Sequence, residues 1–161
     1  MADLRRIAAE LGFANPRTYI ASGNLLFDSD LRDAEIKQLL ETRLAAHVGK
    51  PIWLTLRTGQ ELAALAVANP FPDAPGNRVY VTLLDSDPAP DAIAQARHHA
   101  DEQIAPGPRA LYIHYPTGLG QSRLVIPAAK AGTARNMNTV AKLAGLAVSR
   151  TPEASARQGR R

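Results

Sequence analysis

Four polar side chains occur in the last helix that the sequence predicts, at spacings that place them on one helical face. The second, third and fourth of these side chains follow the first by three, four and seven residues. Residues three or four apart are neighbours on a helix surface. They are Arg135, Asn138, Thr139 and Lys142. Because a helix N-terminus also favours anions, this face, together with Asn136, predicts a site for a phosphate or a carboxylate.

The same residues also have a purely structural interpretation. Thr133 and Asn136 would cap the helix, while Arg135 and Lys142 would face solvent. Against this, Asn and Thr inside a helix cost up to about 0.7 kcal/mol each relative to alanine, which favours a functional reason for their presence. The sequence supports the two interpretations equally.

Two glycine-containing loops are further candidates. Ser22, Gly23 and Asn24 separate two β-prone runs and offer backbone donors to an anion, although a tight hairpin turn needs the same residue types. Ser122 follows the glycine loop 118–121, which contains neither a phosphate-binding P-loop motif nor a nucleophile elbow. We expect these two loops to assist the main site.

His114 is the candidate general base. In the strand predicted over residues 111–115, alternation places it on the face of Tyr112 and away from Leu111 and Ile113. The sequence identifies no carboxylate partner for it, and a histidine without one is more often structural.

The remaining histidines indicate neither a metal nor a cofactor. His98 and His99 stand near the end of a predicted helix, whose dipole they would complement. Neither has metal-ligand spacing to His47 or His114. We therefore expect no metal and no cofactor.

The aromatic residues predict packing positions. Trp53 and Phe71 are expected to anchor the core or a loop. The three Phe and four Tyr residues are too scattered along the chain for a base-stacking platform. The sequence therefore gives no support to sequence-specific RNA binding.

The composition excludes several classes of protein. The 161 residues include no cysteine, which excludes disulfides and thiol chemistry and fits a reducing cytoplasm. No apolar run approaches the roughly 18 residues of a membrane span, and the N-terminus lacks a signal-peptide core. We expect a cytoplasmic protein without a membrane partner, and 45% hydrophobic residues are enough to form a core.

The positive net charge is concentrated near the C-terminus. Residues 130–161 contain seven Lys and Arg and one Glu, so the first 129 residues have a net charge of −2. Residues 149–161 lack apolar periodicity and are predicted to form a disordered basic tail. The overall charge of +4 is therefore weak evidence for a nucleic-acid partner.

The N-terminal half, residues 1–57, is predicted as αββαβ. Its elements are a helix over 3–11, two antiparallel strands over 17–21 and 25–27, a helix over about 31–48 that follows the cap Asp28-Ser29-Asp30 and ends at Gly49, and a strand in which Ile52, Leu54 and Leu56 alternate. This is the ferredoxin-like βαββαβ unit without its opening strand.

The C-terminal half, residues 58–148, is predicted to end in the polar helix. Its elements are a helix to Ala68 opened by a Thr58–Glu61 capping box, a strand around 79–83, a helix over about 91–100, the strand at 111–115, a helical turn near Ser122 and a helix over about 134–148. We predict an α+β fold of two small ferredoxin-like or related α/β halves, followed by the tail.

Four motifs of this chain occur together in one known family. They are TYIxSGN at 18–24, ANPFP at 68–72, YxHxPxGxGxS at 112–122 and TxRNxNTxxKL at 133–143. In order and spacing they resemble the bacterial family called domain of unknown function 1697, over about residues 1–147. The resemblance implies an α+β fold of two small ferredoxin-like or related halves, and it implies no reaction.

Members of that family begin with an extra strand and an RGINVGG-type loop before the first helix. In this chain Met1 falls just ahead of the first helix, at a position that is internal in the relatives. We therefore expect the gene to encode an upstream strand, which reading the DNA before Met1 tests.

Three functions are consistent with these observations. The first is a cytoplasmic binding module for a phosphate- or carboxylate-bearing ligand or a nucleic-acid backbone, centred on Arg135. The second is an enzyme acting on a phosphate ester or acyl group, with His114 as base. The third is a structural or partner-binding protein, which an apolar surface patch without a polar pocket would favour.

Overall fold

The structure, a computed structural model, describes residues 2–20 and 23–148. Within them the chain has an α+β fold with four α-helices and two antiparallel sheets, of two and four strands. It divides into two compact units, Met1–Leu56 and Arg57–Arg161. Ser22 and the predicted tail lie outside the described residues. Among the helices of residues 2–20 and 23–148, none combines the length and the apolarity that a membrane-spanning segment needs.

The first unit consists of a helix, a hairpin and a second helix. The elements are α1 (Ala2–Glu10), β1 (Ala14–Tyr19), β2 (Asn24–Asp28) and α2 (Asp33–Val48). The predicted hairpin is confirmed, with Tyr19 opposite Asn24. As predicted, α2 ends at Gly49, whose φ of +77° is one that glycine adopts without steric cost. Buried in its apolar cluster are Ala8, Phe13, Ile36 and Leu40.

The segment Asp28-Ser29-Asp30, predicted as the N-terminal cap of α2, does not cap this helix. The N-cap residue is Arg32, whose side chain makes no capping bond. Ser29 Oγ accepts a hydrogen bond from the backbone N–H of Leu31 at 3.1 Å, so this hydroxyl closes a local turn ahead of the helix. The predicted cap was therefore placed too early in the chain.

Residues 52–56 do not form the predicted strand. The described chain has no strand between residues 51 and 58, and the N–H of Leu54 donates to Glu41 Oε1 at 3.0 Å. Leu54 and Leu56 pack against the apolar cluster of the first unit, whereas Trp53 is 80% exposed. The alternation therefore reflects one buried side without sheet pairing, and the prediction of Trp53 as an anchor was wrong.

The second unit is built on a four-stranded antiparallel sheet in the order β4-β5-β3-β6. Its strands are β3 (Val79–Leu83), β4 (Gln103–Gly107), β5 (Ala110–His114) and β6 (Thr133–Asn136). The helices α3 (Gly59–Val67) and α4 (Met137–Val148) contact each other and cover one face of this sheet. The buried residues on that face include Leu65, Val79, Val81, Tyr112, Met137 and Val140.

The other face of the sheet is covered by the connections between strands. Three short 3-10 helices, Gly76–Arg78, Leu119–Gln121 and Pro127–Ala131, interrupt the loops of this unit. Leu111 and Ile113 of β5 form the centre of the second apolar cluster, against which the connections pack. This unit therefore has two small cores, one on each side of its sheet.

The segment 91–100 is not the predicted helix. The residues from Asp91 to Gln95 form turns, and the backbone hydrogen bonds up to Ala96 belong to these turns. Arg97 then forms an isolated antiparallel bridge with Val125, and His98 has a φ of +57°, outside the right-handed helical region. The bridge extends the backbone here, so His98 and His99 do not complement a helix dipole as predicted.

The strand β4 was missed by the sequence analysis. It contains Pro106 and Gly107, two residues that are depleted in strands. Pro106 lacks an N–H group, but β4 is an edge strand whose outer side needs no donor. Pairing of β4 with β5 outweighs its poor local propensity.

The predicted capping box of α3 is confirmed. Thr58 Oγ1 accepts a hydrogen bond from the N–H of Glu61 at 3.1 Å, and Glu61 Oε1 accepts one from the N–H of Thr58 at 3.0 Å. Two N–H groups that the helix itself leaves unbonded are therefore satisfied.

We expect Thr58→Ala to lower the free energy of unfolding by about 1 kcal/mol, because the substitution removes an N-cap acceptor. Urea denaturation followed by circular dichroism measures the change. Gln60→Ala, an exposed position in the first turn of the same helix, is the matched control and should change little. Equal effects of the two substitutions would contradict a specific capping contribution.

Candidate functional site

Three of the sequence-predicted segments meet at one end of the four-stranded sheet. Neighbouring strands are antiparallel, so β3 and β4 begin at this end and β5 and β6 finish there. Val79 and Gln103 both lie opposite His114, and Asn136 lies opposite Tyr80. We call this the loop end; His114, the loop that leads to Ser122 and the start of α4 all lie there.

Arg135 lies on a strand and not on the predicted helix. It is paired with Val81 of β3, so its side chain projects from the sheet face that α3 and α4 cover. Because β6 gains backbone hydrogen bonds from β3, the helix begins only at Met137. The predicted helical face shared by Arg135 with Asn138, Thr139 and Lys142 was therefore wrong.

The guanidinium of Arg135 is partly buried. Its Nη1 donates a hydrogen bond to the carbonyl oxygen of Ala134 at 2.8 Å. Burial lowers the pKa of Arg135 from its ordinary value, because removal of water disfavours the charged form.

Asn136 occupies the capping position of the structural interpretation. Its Oδ1 accepts a hydrogen bond from the N–H of Thr139 at 2.9 Å. One N–H group of the first turn of α4 is thus already bonded within the chain. Thr133 begins β6, which contradicts its assignment as a helix cap.

Asn138 packs against a glycine that the sequence analysis did not single out. A β-carbon placed on Gly76 would lie 2.0 Å from Asn138 Oδ1, which is far inside contact distance. Glycine is therefore required for the Asn138 amide to approach the 3-10 helix Gly76–Arg78. No motif in the sequence connects these two distant residues.

His114 is positioned by an amide and an aromatic ring. Its Nδ1 lies 3.1 Å from Gln103 Oε1, and its ring centroid lies 5.6 Å from that of Phe71. An amide oxygen only accepts, so in the tautomer that donates from Nδ1 to Gln103 the lone pair is on Nε2. The predicted face of His114, shared with Tyr112, is confirmed.

Ser122 is bonded to a buried carboxylate. Its Oγ donates to Glu102 Oε1 at 2.5 Å, and the N–H of Ala100 donates to Glu102 Oε2 at 2.7 Å. Glu102 is only 5% exposed. The bond from Ser122, the bond from the N–H of Ala100 and one from its own N–H hold the pKa of Glu102 below its ordinary value, since they stabilise the ionised form.

This arrangement ties two loops together and does not activate a nucleophile. A carboxylate with a lowered pKa is a weak base, so it does little to remove the proton of the Ser122 hydroxyl. His99 Nε2 hydrogen-bonds to the backbone carbonyl oxygen of Glu102. The sequence offered no signal for Glu102, which lies between a predicted helix and a predicted strand.

The hairpin residues belong to the first unit. Asn24 is buried, and its Nδ2 donates to the carbonyl oxygen of Tyr19 at 3.0 Å. Gly23 has a φ of +78°, which suits glycine in a tight turn. Gly23 and Asn24 thus have the structural role that a hairpin requires, while Ser22 lies outside the described residues.

Metal-ligating side chains do not cluster in the described part of the chain. Within residues 2–20 and 23–148, no group of three or more His, Asp or Glu residues has an arrangement that could hold an ion.

Comparison with known proteins places the chain in a family. A model described as protein of unknown function (DUF1697) matches residues 1–112, which is more than half of the chain. The chain belongs to the DUF1697 family. The match includes two of the four DUF1697 motifs in full, TYIASGN and ANPFP, and reaches only the first residue of the third.

A solved structure shares the fold of this DUF1697 protein. The structure of conserved bacterial protein SP0830 from Streptococcus pneumoniae superimposes with a TM-score of 0.72 at 20% sequence identity, covering 91% of this chain and 88% of that one. At this identity the likeness shows the fold alone. No curated protein matches the chain.

We expect Ser122→Ala to destabilise the protein by about 1.5–3 kcal/mol at pH 7, because it removes a hydrogen bond to a buried charge. Glu102→Gln should also destabilise it. The folded-state pKa of Glu102 is lowered, so its contribution is present above the unfolded value of about 4.3 and is lost as the pH falls through the folded value.

The free-energy difference between wild type and Glu102→Gln, measured by urea denaturation at a series of pH values, should therefore shrink as the pH falls from about 5 toward the folded-state pKa of Glu102. Asp73→Asn, at an exposed position, controls for the loss of one carboxylate. A difference that stays constant across this range would show that ionisation of Glu102 contributes nothing to folding.

Proposed function

We propose that the chain is a cytoplasmic binding module for a small ligand with a phosphate or carboxylate group, held where β6 meets α4. The observation that carries the proposal is the partly buried guanidinium of Arg135 immediately before a helix N-terminus. Both the desolvated charge and the positive end of the helix dipole favour an anion at this place.

The first turns of α4 supply further polar groups for such a ligand. Asn138 and Lys142 are exposed, and Thr139 is partly buried. Because Asn136 already bonds the N–H of Thr139, the anion would be held chiefly by side chains. Gly76 supports this arrangement by admitting the Asn138 amide.

The proposed site contains fewer residues than the one predicted from sequence. Asn136 has a capping role, and Ser122 is bonded to Glu102. Asn24 is bonded within its own hairpin. We therefore propose Arg135, Asn138, Thr139 and Lys142 as the ligand-binding residues.

We further propose that the second unit is a variant of the ferredoxin-like fold. Read across the sheet, the strands lie in the order β6-β3-β5-β4. When the strands of this unit are numbered along the chain, that order is fourth, first, third and second, which is the order of the βαββαβ sheet. Turns and 3-10 helices stand where that fold has crossover helices. The two α-helices instead precede β3 and follow β6.

One observation favours an enzyme as the second candidate. The contact between His114 Nδ1 and Gln103 Oε1 suits the tautomer in which Nε2 can accept a proton. His114 would then be the general base for hydrolysis of a phosphate ester or an acyl ester. The Ser122–Glu102 bond gives this candidate no nucleophile, so water would have to be the attacking group.

For the binding module, we expect phosphate, citrate or AMP to shift the backbone amide signals of residues 135–142 in a 15N NMR titration. Arg135→Gln should raise the dissociation constant at least about tenfold, since a charge-assisted hydrogen bond contributes about 1.5–3 kcal/mol. Arg5→Gln, at an exposed position of α1, is the matched control. The proposal fails if none of the three probes binds, or if both variants bind alike.

For the enzyme, we expect slow release of nitrophenolate from p-nitrophenyl phosphate or p-nitrophenyl acetate, followed by absorbance. His114→Gln should abolish the activity, because the general base is lost. Gln103→Leu should reduce kcat without changing KM, since it removes only the group that orients the ring. Activity that survives His114→Gln would exclude His114 as the base.

A further inference from the structure

The helix α2 has uncharged residues on both of its long sides. Its inner side carries Ile36 and Leu40, which are buried in the apolar cluster of the first unit. A surface helix usually places charged and polar residues on the side away from the core. In α2 that side is uncharged apart from Glu35 in the first turn, which the packing of the first unit does not explain.

The uncharged residues of that side form one stripe along the helix. Counted from Ala34, positions four, eight and eleven residues later lie on the same face, and Leu39 and Ala46 widen it. Leu39 is 38% exposed; of the others only Ala45 is half-buried, and the rest are exposed. We call these residues the outer face: Ala34, Gln38, Leu39, Thr42, Ala45 and Ala46.

Most charged and ionisable side chains at α2 are engaged by other residues of the first unit. These contacts, with their N–O distances, are Arg32–Glu35 at 2.8 Å, Lys37–Glu41 at 3.8 Å, Arg43–Glu10 at 2.8 Å and His47–Asp3 at 3.5 Å. None of the six outer-face residues takes part in them. A partner that approaches the outer face therefore meets no charge at its centre.

The two ends of α2 have opposite net charges. Residues 28–35 contain four carboxylates and one arginine, four minus one, which gives −3. Residues 43–50 contain Arg43 and Lys50 and no carboxylate, which gives +2 with His47 neutral. The helix α1, with two arginines and two carboxylates, adds no net charge. Such end charges stabilise a single helix, and they also attract a second copy of α2 that lies antiparallel to the first.

We propose that the outer face of α2 is the contact between two copies of this chain, with the two α2 helices antiparallel about a twofold axis near Leu39 and Thr42. Residues whose numbers add to about 80 then lie opposite each other, so Ala34 faces Ala45 of the second copy. The small alanine side chains let the helix axes approach closely. A twofold contact uses the same patch on both copies, and the end charges of α2 are complementary to themselves in this orientation.

The size of the outer face predicts a weak dimer. A helix of 16 residues is about 24 Å long and about 10 Å wide. Two such helices bury less than the roughly 1,600 Å² of a standard interface. Because standard interfaces bind at micromolar concentrations or tighter, we expect a dissociation constant of about 0.1 mM.

The test is sedimentation velocity of the full chain at concentrations from about 5 to about 500 µM, which bracket the expected affinity. The wild type should shift from monomer to dimer. Leu39→Glu and Thr42→Glu should each weaken the dimer at least about tenfold, since each places two carboxylates near the axis. Thr42 is exposed, so its variant keeps the test valid if Leu39→Glu fails to fold.

Val67→Glu is the matched control, because Val67 is an exposed apolar residue of another helix, α3. It should dimerise like the wild type. A wild type that stays monomeric at every concentration would overturn the proposal, and so would a dimer that both outer-face variants leave unchanged. Vesicles of phosphatidylcholine that bind the wild type but not Leu39→Glu, without any dimer, would assign the face to a lipid surface instead.

Cysteine cross-linking tests the orientation, because the chain has no cysteine of its own. Under mild oxidation, a mixture of Ala34→Cys and Ala45→Cys should give disulfide-linked dimers, whereas neither variant alone should do so. Cross-linking of each variant with itself and not in the mixture would overturn the antiparallel arrangement. Arg135→Gln should dimerise like the wild type, which separates this contact from the small-ligand site.

Discussion

The second unit depends on the pairing of β3 with strands on both of its sides. Val79 and Val81 of this strand are fully buried, and its backbone bonds to β5 on one side and to β6 on the other. These two ladders bring residues from three distant stretches of the chain into one sheet. The loop end exists because both neighbours run antiparallel to β3, so that β5 and β6 finish where β3 begins.

The pairing of β6 with β3 also explains why Arg135 was placed on the wrong element. Locally, residues 133–142 have the composition and spacing of a helix with a polar start. Strand formation by residues 133–136 needs a partner edge, and nothing within the segment identifies β3 as that partner. On the predicted helix Arg135 would have faced solvent. On β6 its guanidinium is partly buried.

Elements that depend on residues close to them in the sequence were predicted well. Elements that depend on pairing with a distant part of the chain were not. The capping box of Thr58 and the helix end at Gly49 each depend on residues within one or two turns, and both are present. By contrast, β4 contains Pro106, and the extended backbone at Arg97 exists because Val125 pairs with it. The alternation at 52–56 predicted a strand that is absent, although Leu54 and Leu56 do pack against the apolar cluster of the first unit. The same limit applies to the site, because the contact of Asn138 with Gly76 joins residues 62 positions apart.

The proline on β4 has a consequence for how copies of the sheet meet. An exposed edge strand offers a row of backbone groups to which a strand from another molecule can add. On this sheet one outer strand carries Pro106, which cannot donate, and the other is the four-residue β6, too short to template a long partner. The edges of the four-stranded sheet are thus protected against the edge-to-edge growth that precedes aggregation.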